Sequence, residues 1–301
     1  MQDNPFFTII IPTYNRADKL DIPIKSILNQ YFKNWELIII DDGSTDETQA
    51  LIQTYSSHNI QYFYQQHQGR SAARNSGITK ARGEYICFQD SDDEYLPNHL
   101  QTLYEAILQN DTYKVFRTGL LIYEKGKLSK KSGTSIKKGK NAYPFEYFTT
   151  AAFHTNLLND KSFPVKYFVN EDPYFFLKIG ELEPIYVINN WTAIYHYDPV
   201  NSGGIGPHYE KNMLNKKACL DDILTWHHSD IRHYIIKQRC LTEILLLAGH
   251  FTYRPRKIPK AIIDNLAILC RFPRTYTCLC FRIIYVKWGE WTDLYRTRDR
   301  F

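Results

Sequence analysis

Phe6-Phe7-Thr8-Ile9-Ile10-Ile11-Pro12-Thr13-Tyr14-Asn15-Arg16 is the stretch that decides the fold. Its first half is a continuous apolar run without the polar alternation of a half-exposed strand. It therefore reads as a strand buried on both faces, the habit of parallel sheets. Pro12 closes the run, and turn-forming residues follow. The same order recurs downstream. Trp35–Ile40 is a second buried run ending in Asp41-Asp42-Gly43-Ser44, Ile60–Gln65 is a third, and Tyr85–Gln89 is a fourth ending at Asp90. Helical stretches lie between them. Leu20, Ile24, Ile27 and Leu28 keep near-helical spacing within 17–30, with Pro23 marking the start; 45–55 follows a Ser44 or Thr45 cap; 71–80 is the third. This alternation predicts an α/β doubly wound sheet. Ligands of such sheets bind outside the carboxyl ends of the strands, and every polar cluster of the first hundred residues falls at such an end.

The bulk properties set outer limits. A chain of 301 residues can bury a substantial core, and 44% hydrophobic with 23% charged residues is an ordinary globular composition. The net charge of +5 is unevenly spread: residues 1–204 carry a net −3 and residues 205–301 a net +8. A basic, aromatic end segment suits an anionic lipid or acceptor, and no nucleic-acid recognition motif accompanies it. The six cysteines, Cys87, Cys219, Cys240, Cys270, Cys278 and Cys280, form no CxxC pair and read as free thiols of a reducing compartment. The first residues are polar and no apolar stretch is long enough to span a bilayer, so a cytoplasmic protein is expected.

The chemistry concentrates in Phe88-Gln89-Asp90-Ser91-Asp92-Asp93, where a buried strand runs into three carboxylates. Packing these together is costly unless a cation sits among them, and a hard divalent ion, Mg²⁺ or Mn²⁺, would neutralise them and also bind phosphates. A solvated acidic turn is the plain alternative. Asp41-Asp42-Gly43 repeats the pattern at an earlier strand end, where a carboxylate can accept from a base or a ribose and Gly43 permits a tight turn. Tyr14 could stack on a base. Arg70 and Arg74, four apart on one helix face, could meet phosphate or pair with the acidic clusters; a surface ion pair is the plain reading for Arg74.

Together the strings IIIPTYNR, NWELIIIDDGSTDET and HQGRSAARNSGITKARGEYICFQDSDDEYLP resemble the family 2 glycosyltransferases, closely over residues 6–100 and in scattered matches to about 205. The resemblance implies a GT-A fold, with a mixed, mostly parallel sheet flanked by helices. It implies a catalytic domain over 1–205, its nucleotide-sugar half at about 1–100 and its acceptor half at about 101–205, with a helical, basic extension over 206–301. Pro12, Tyr14 and Asp42 look like a pocket for the base, usually uracil, and Arg70 like its basic neighbour near base or phosphate. Asp90 and Asp92 look like a DxD motif reaching ribose and a diphosphate-bridging metal, with Asp93 ordering the loop or facing the donor sugar. Asn170-Glu171-Asp172-Pro173 resembles the family's acidic pair at a helix start, making Asp172 the expected base and Glu171 the second choice; both acids could equally cap that helix, with Pro173 at its first position. His196, in Tyr195-His196-Tyr197-Asp198, is the expected further metal or phosphate ligand, or else a structural His between tyrosines.

The resemblance implies inverting transfer from a UDP-sugar to a saccharide or lipid-linked acceptor; the absence of the Q-x-x-R-W motif and of the spans of processive synthases points to addition of a single sugar. The mixed apolar and basic residues of 251–291 could rest on the inner membrane leaflet or pack on the catalytic domain. Two other readings compete: a sugar-phosphate nucleotidyltransferase, and a non-catalytic nucleotide-sugar-binding module. The first would carry a Gly-rich basic loop where Pro12-Thr13-Tyr14-Asn15 stands.

Overall fold

A computed structural model describes residues 4–55, 59–124, 126–132, 148–158, 163–168, 171–180, 183–197 and 209–225. The buried runs form β1 (Phe7–Thr13), β2 (Trp35–Asp41), β3 (Ile60–Tyr64) and β4 (Tyr85–Phe88). The helices between them are α1 (Asp21–Leu28), α2 (Thr48–Gln53) and α3 (Arg70–Lys80). Then come β5 (Glu94–Tyr95), α4 (His99–Gln109), β6 (Val115–Glu124), β7 (Lys127–Ser132), β8 (Ala151–His154), α5 (Glu171–Gly180), β9 (Ile185–His196) and α6 (Tyr209–Ile223).

The described strands make one sheet in the order β3-β2-β1-β4-β8-β6-β9-β5, with β7 on β6. β1 pairs in parallel with both β2 and β4, so the chain winds outward in both directions from β1. β8 lies antiparallel to β4 and to β6, which turns β6 the same way as β4, and β9 runs parallel to β6. The carboxyl ends of β1, β2, β4, β6 and β9 therefore share one rim.

Every residue of β1 and β2 is buried, which is why isoleucine fills both parities. Phe7, Ile9, Ile11, Leu37 and Ile39 face α1, α2 and α4, while Ile10, Ile38, Ile40, Ile86 and Phe88 face α3 and α5. Two cores on two faces of one sheet are what doubly wound means physically. α3 packs unusually close: a Cβ on Gly77 would come within 2.4 Å of Ile10 Cγ2. At the amino-end rim, buried Glu36 accepts from Thr8 Oγ1 at 2.7 Å, Gln61 Nε2 at 2.9 Å and the Arg82 backbone and guanidinium at 2.7–2.9 Å.

Three local expectations shift. α2 begins at Thr48, because Ser44 and Thr45 are bound to Asn15 and the Asp46 carboxylate accepts the Thr48 N–H instead (3.1 Å). Pro12 lies inside β1, in register with Ile40, since a strand's last turn before the rim tolerates its missing N–H. α5 opens at Glu171, placing Pro173 third rather than first, still within the turn whose N–H groups have no helical partner. The lysine-rich 125–140 stretch is described only to 132, where it forms the β6–β7 hairpin. α6 packs on the body through Tyr167, whose hydroxyl meets Ala218 O at 3.3 Å and Asp222 Oδ2 at 3.0 Å. Asn170, Asp198, Asn201–Gly204 and the 251–291 tail lie outside the described residues.

Helix propensity alone favours Gly77→Ala by ~1 kcal/mol. The Ile10 contact reverses the sign: urea denaturation is expected to show a net loss of roughly 1–2 kcal/mol. A stabilised variant would mean that α3 can lift off β1.

Candidate active site

The rim is built from loops that brace one another. Asn15 adopts a left-handed φ of 49° and donates its N–H to Ser44 Oγ at 2.9 Å, while its side chain accepts the Thr45 N–H at 2.8 Å. Ala17 N–H donates to Asp46 at 3.1 Å. The loop after β1 is thus stitched to the loop after β2 by side chains at both ends.

Asp42, expected to face a base, is buried, and its carboxylate is taken up by the next loop. It accepts from Gln65 Nε2 at 2.7 Å, Gln68 N–H at 3.0 Å and Gly69 N–H at 2.7 Å, and lies 2.8 Å from His67 Nδ1. Asp42 thereby fixes residues 65–69. Gly43, at φ 87°, leaves room for this: a Cβ there would sit 2.9 Å from the His67 nitrogen. His67 then lies stacked on Tyr14, ring centroids 4.2 Å apart. Both rings are exposed, so the expected stacking residue has a partner that sequence reading missed; its signal was an aromatic two residues before Gly69.

The centre of the site is Arg74. The surface ion pair read for it is overturned: the side chain is fully buried. One nitrogen donates to Asp172 Oδ1 at 2.7 Å and to Glu171 Oε1 at 3.3 Å, and another donates to Asp90 Oδ1 at 2.8 Å. Its guanidinium lies 4.3 Å over the Phe148 ring and 5.1 Å from that of Phe163. Those phenylalanines exclude water and so strengthen every charge contact. Arg70, one turn earlier, pairs with Glu171 at 2.8 Å and donates to Phe168 O at 3.3 Å. Both arginines thus pair with acidic residues: Arg74 joins the end of β4 to the start of α5, and Arg70 adds a second hold on Glu171.

Asp90 and Asp92 remain partly exposed at the rim, with Arg16 3.7 Å from Asp92. Asp93 turns inward, buried, and accepts the His196 backbone N–H at 3.2 Å, so it orders the loop. The His196 ring lies beside Tyr123, with Nε2 3.8 Å from Glu94 Oε1. Among the described residues no group of three or more His, Cys, Asp or Glu side chains stands ready to hold a metal ion.

The electrostatics are those of too many carboxylates. Burial first, then the Asp90 charge, pushes Asp92 upward, and burial with Asp90 and Asp92 holds Asp93 well above the usual carboxylate range. Asp172 is pushed up to about 7, by burial first; Arg74 pulls it down, and Glu171 and Asp90 push it up. This suits a group that must take a proton near neutrality. The surplus also suits a cation at Asp90 and Asp92, provided other oxygens complete its shell.

A mixed doubly wound sheet with exposed, stacked Tyr14 and His67 after β1 and β3 and an acidic rim after β4 is a GT-A architecture. The family model "Glycosyl transferase family 2" matches residues 8–162, and the chain belongs to that family. It is 35% identical over 181 residues to the GalNAc(5)-diNAcBac-PP-undecaprenol beta-1,3-glucosyltransferase of Campylobacter jejuni, covering 56% of this chain and 57% of that one. The chain thus matches little more than half the length of that relative. In fold it resembles S. aureus TarS 1–349, solved with UDP-GlcNAc (TM-score 0.62, 20% identity, covering 86% of this chain and 78% of that one). It also resembles the mannosyltransferase PcManGT of Pyrobaculum calidifontis, solved with GDP-Man and Mn²⁺ (TM-score 0.59, 15% identity, covering 93% and 84%).

Removing one member of a buried charge cluster leaves the others uncompensated. Arg74→Ala is expected to lower stability by about 3–5 kcal/mol. Arg74→Lys is also expected to destabilise, because an ammonium cannot span Asp90 and Asp172 as the planar fork does. In a carboxylate-labelled NMR titration, Asp172 is expected to protonate near pH 7. Because its folded pKa lies above the unfolded value, this group's contribution to stability declines as pH rises from about 4 to about 7. A titration near pH 4 would disprove the crowding.

Proposed function

We propose that the protein is a glycosyltransferase that moves one sugar, with inversion, from a UDP-sugar to a saccharide or lipid-linked saccharide acceptor at the cytoplasmic face of a membrane. The observation that carries this reading is the Arg74 bridge. It sets the carboxylates suited to a diphosphate beside the one carboxylate suited to deprotonate an alcohol.

In this reading the nucleoside lies against Tyr14 and His67, over the loop braced by Asp42. Asp90 and Asp92 would hold Mg²⁺ or Mn²⁺, which neutralises the diphosphate as its bond to the anomeric carbon breaks. Arg70, more than half exposed, is placed to add positive charge to the same leaving group. Asp172 accepts the proton of the acceptor hydroxyl as that oxygen attacks the anomeric carbon. Arg74 holds the Asp172 carboxylate in place, and Glu171, buried and engaged by both arginines, is a positioning residue. The Campylobacter relative is named for a polyprenyl diphosphate-linked acceptor, which supports the lipid-linked choice.

The nucleotidyltransferase reading has no support at the end of β1, which carries Pro12 and Tyr14 in place of a Gly-rich loop. The binding-module reading predicts no turnover. Nucleotide-sugar hydrolysis and transfer should be assayed with UDP- and GDP-sugars, with and without Mn²⁺. Asp172→Asn is expected to retain donor binding and lose transfer by roughly 10²–10⁴-fold. Asp92→Asn is expected to lose the metal response. The acid limb of kcat/KM is expected near pH 7, with the rate rising as Asp172 ionises. Full turnover in both variants would reject the assignment.

A further inference from the structure

Beside the carboxylates lies a surface that the reaction does not use. The segment before α5 exposes Val165 (59%) and Phe168 (44%), and α6 exposes Leu214 (52%). These are not scattered residues. Asn215 ties the two segments together: its Oδ1 accepts the Phe168 N–H at 3.0 Å and its Nδ2 donates to Lys166 O at 3.4 Å. Along α6, Lys211, Leu214 and Ala218 are exposed at helical spacing, so they share the outward face. Lys211 Nζ lies 5.3 Å over the Phe168 ring, and exposed Lys166 stands next to Val165. Two nearby acids are matched: Asp222 pairs with Lys166 at 2.8 Å, and Glu171 is buried against Arg70 and Arg74.

We propose that Val165, Phe168 and Leu214, with Lys211, form a docking surface for an anionic phospholipid bilayer. Apolar side chains would enter the interfacial layer while Lys211 meets a headgroup phosphate. The choice of a bilayer over a protein rests on this chemistry: aliphatic and aromatic tips beside the Lys211 ammonium, with Asp222 neutralised by Lys166. The location adds a reason. Phe168 O accepts from Arg70, which holds Glu171, so the surface adjoins the place where an acceptor must approach Asp172. The biological purpose rests on the lipid-linked-acceptor reading; the binding itself does not.

The test is co-sedimentation of the full chain, without donor or acceptor, with vesicles of phosphatidylcholine containing about one-third phosphatidylglycerol. Wild type is expected to pellet with these vesicles, and much less with phosphatidylcholine alone. The triple variant Val165→Ser, Phe168→Ser, Leu214→Ser is expected to partition at least about tenfold more weakly, and Lys211→Glu several-fold more weakly with a shallower loss of binding on adding salt. Circular dichroism and UDP binding report whether each variant is folded; if the triple variant is not, Phe168→Ser alone serves. Undiminished pelleting of the folded variants would place lipid contact elsewhere and overturn the proposal. So would equal binding to neutral vesicles. A wild-type dimer that the triple variant converts to monomer, with no vesicle binding, would make the face a self-association surface. Loss of glycosyl transfer with vesicle binding intact would bear on the functional reading alone.

Discussion

One buried guanidinium sets the geometry of this molecule's working end. Arg74 has no exposure, sits over Phe148 and Phe163, and is bonded both to Asp90 and, 98 residues further along the chain than itself, to Asp172. An arginine can be that deep only if its charge is matched, and the carboxylates can be that close together only if a cation separates them. Each condition satisfies the other. α3 must therefore lie flat on β1, which explains Gly77 against Ile10, and α5 must start where Asp172 can reach Arg74. The close packing of the core and the placement of the acids are one constraint seen from two sides.

The loop after β3 is held by the opposite device. There a carboxylate, Asp42, is the buried hub, and neutral donors from residues 65–69 converge on it. The loop that Asp42 fixes runs straight into α3, whose first residue is Arg70. The stacked Tyr14 and His67 are thus linked through this loop to the arginines that organise the acids.

Much of this was legible in the chain because the information is local. Isoleucine runs without alternation encode strands covered on both faces, and β1, β2, β3, β4, α1 and α3 fall close to where the runs and breaks put them. Clusters at strand ends are also local, so Asp42, Asp90, Asp92 and Tyr14 were visible. What escaped depended on contacts between distant segments. Nothing near Arg74 signals that it is buried, since its aromatic cover comes from Phe148 and Phe163 and its partners from α5. His67 looked like a loop residue, and only the turn at Gly43 brings it onto Tyr14. His196 shows the converse. Its proximity to the acidic loop is real, yet the contact is made by its backbone, a distinction that residue type cannot carry. The helix start at Thr48 failed for a related reason, because Asn15 competes for Ser44 and Thr45 from across the rim.

The two edges of the sheet carry buried carboxylates to different ends. At the amino edge Glu36 is surrounded by five donors, among them two guanidinium nitrogens of Arg82 on one oxygen, and its charge is closed off. At the carboxyl edge Asp90, Asp92, Asp93, Glu171 and Asp172 outnumber Arg16, Arg70 and Arg74, burial drives several of their pKa values upward, and Arg74 Nε finds no acceptor among the described residues. Selection for stability alone favours the first arrangement, because unmatched buried charge costs several kcal/mol. The second persists where incoming charge and protons complete the balance. The unfinished electrostatics of the carboxyl edge are therefore the physical signature of the site, and they arise from the same arginine that makes the fold close.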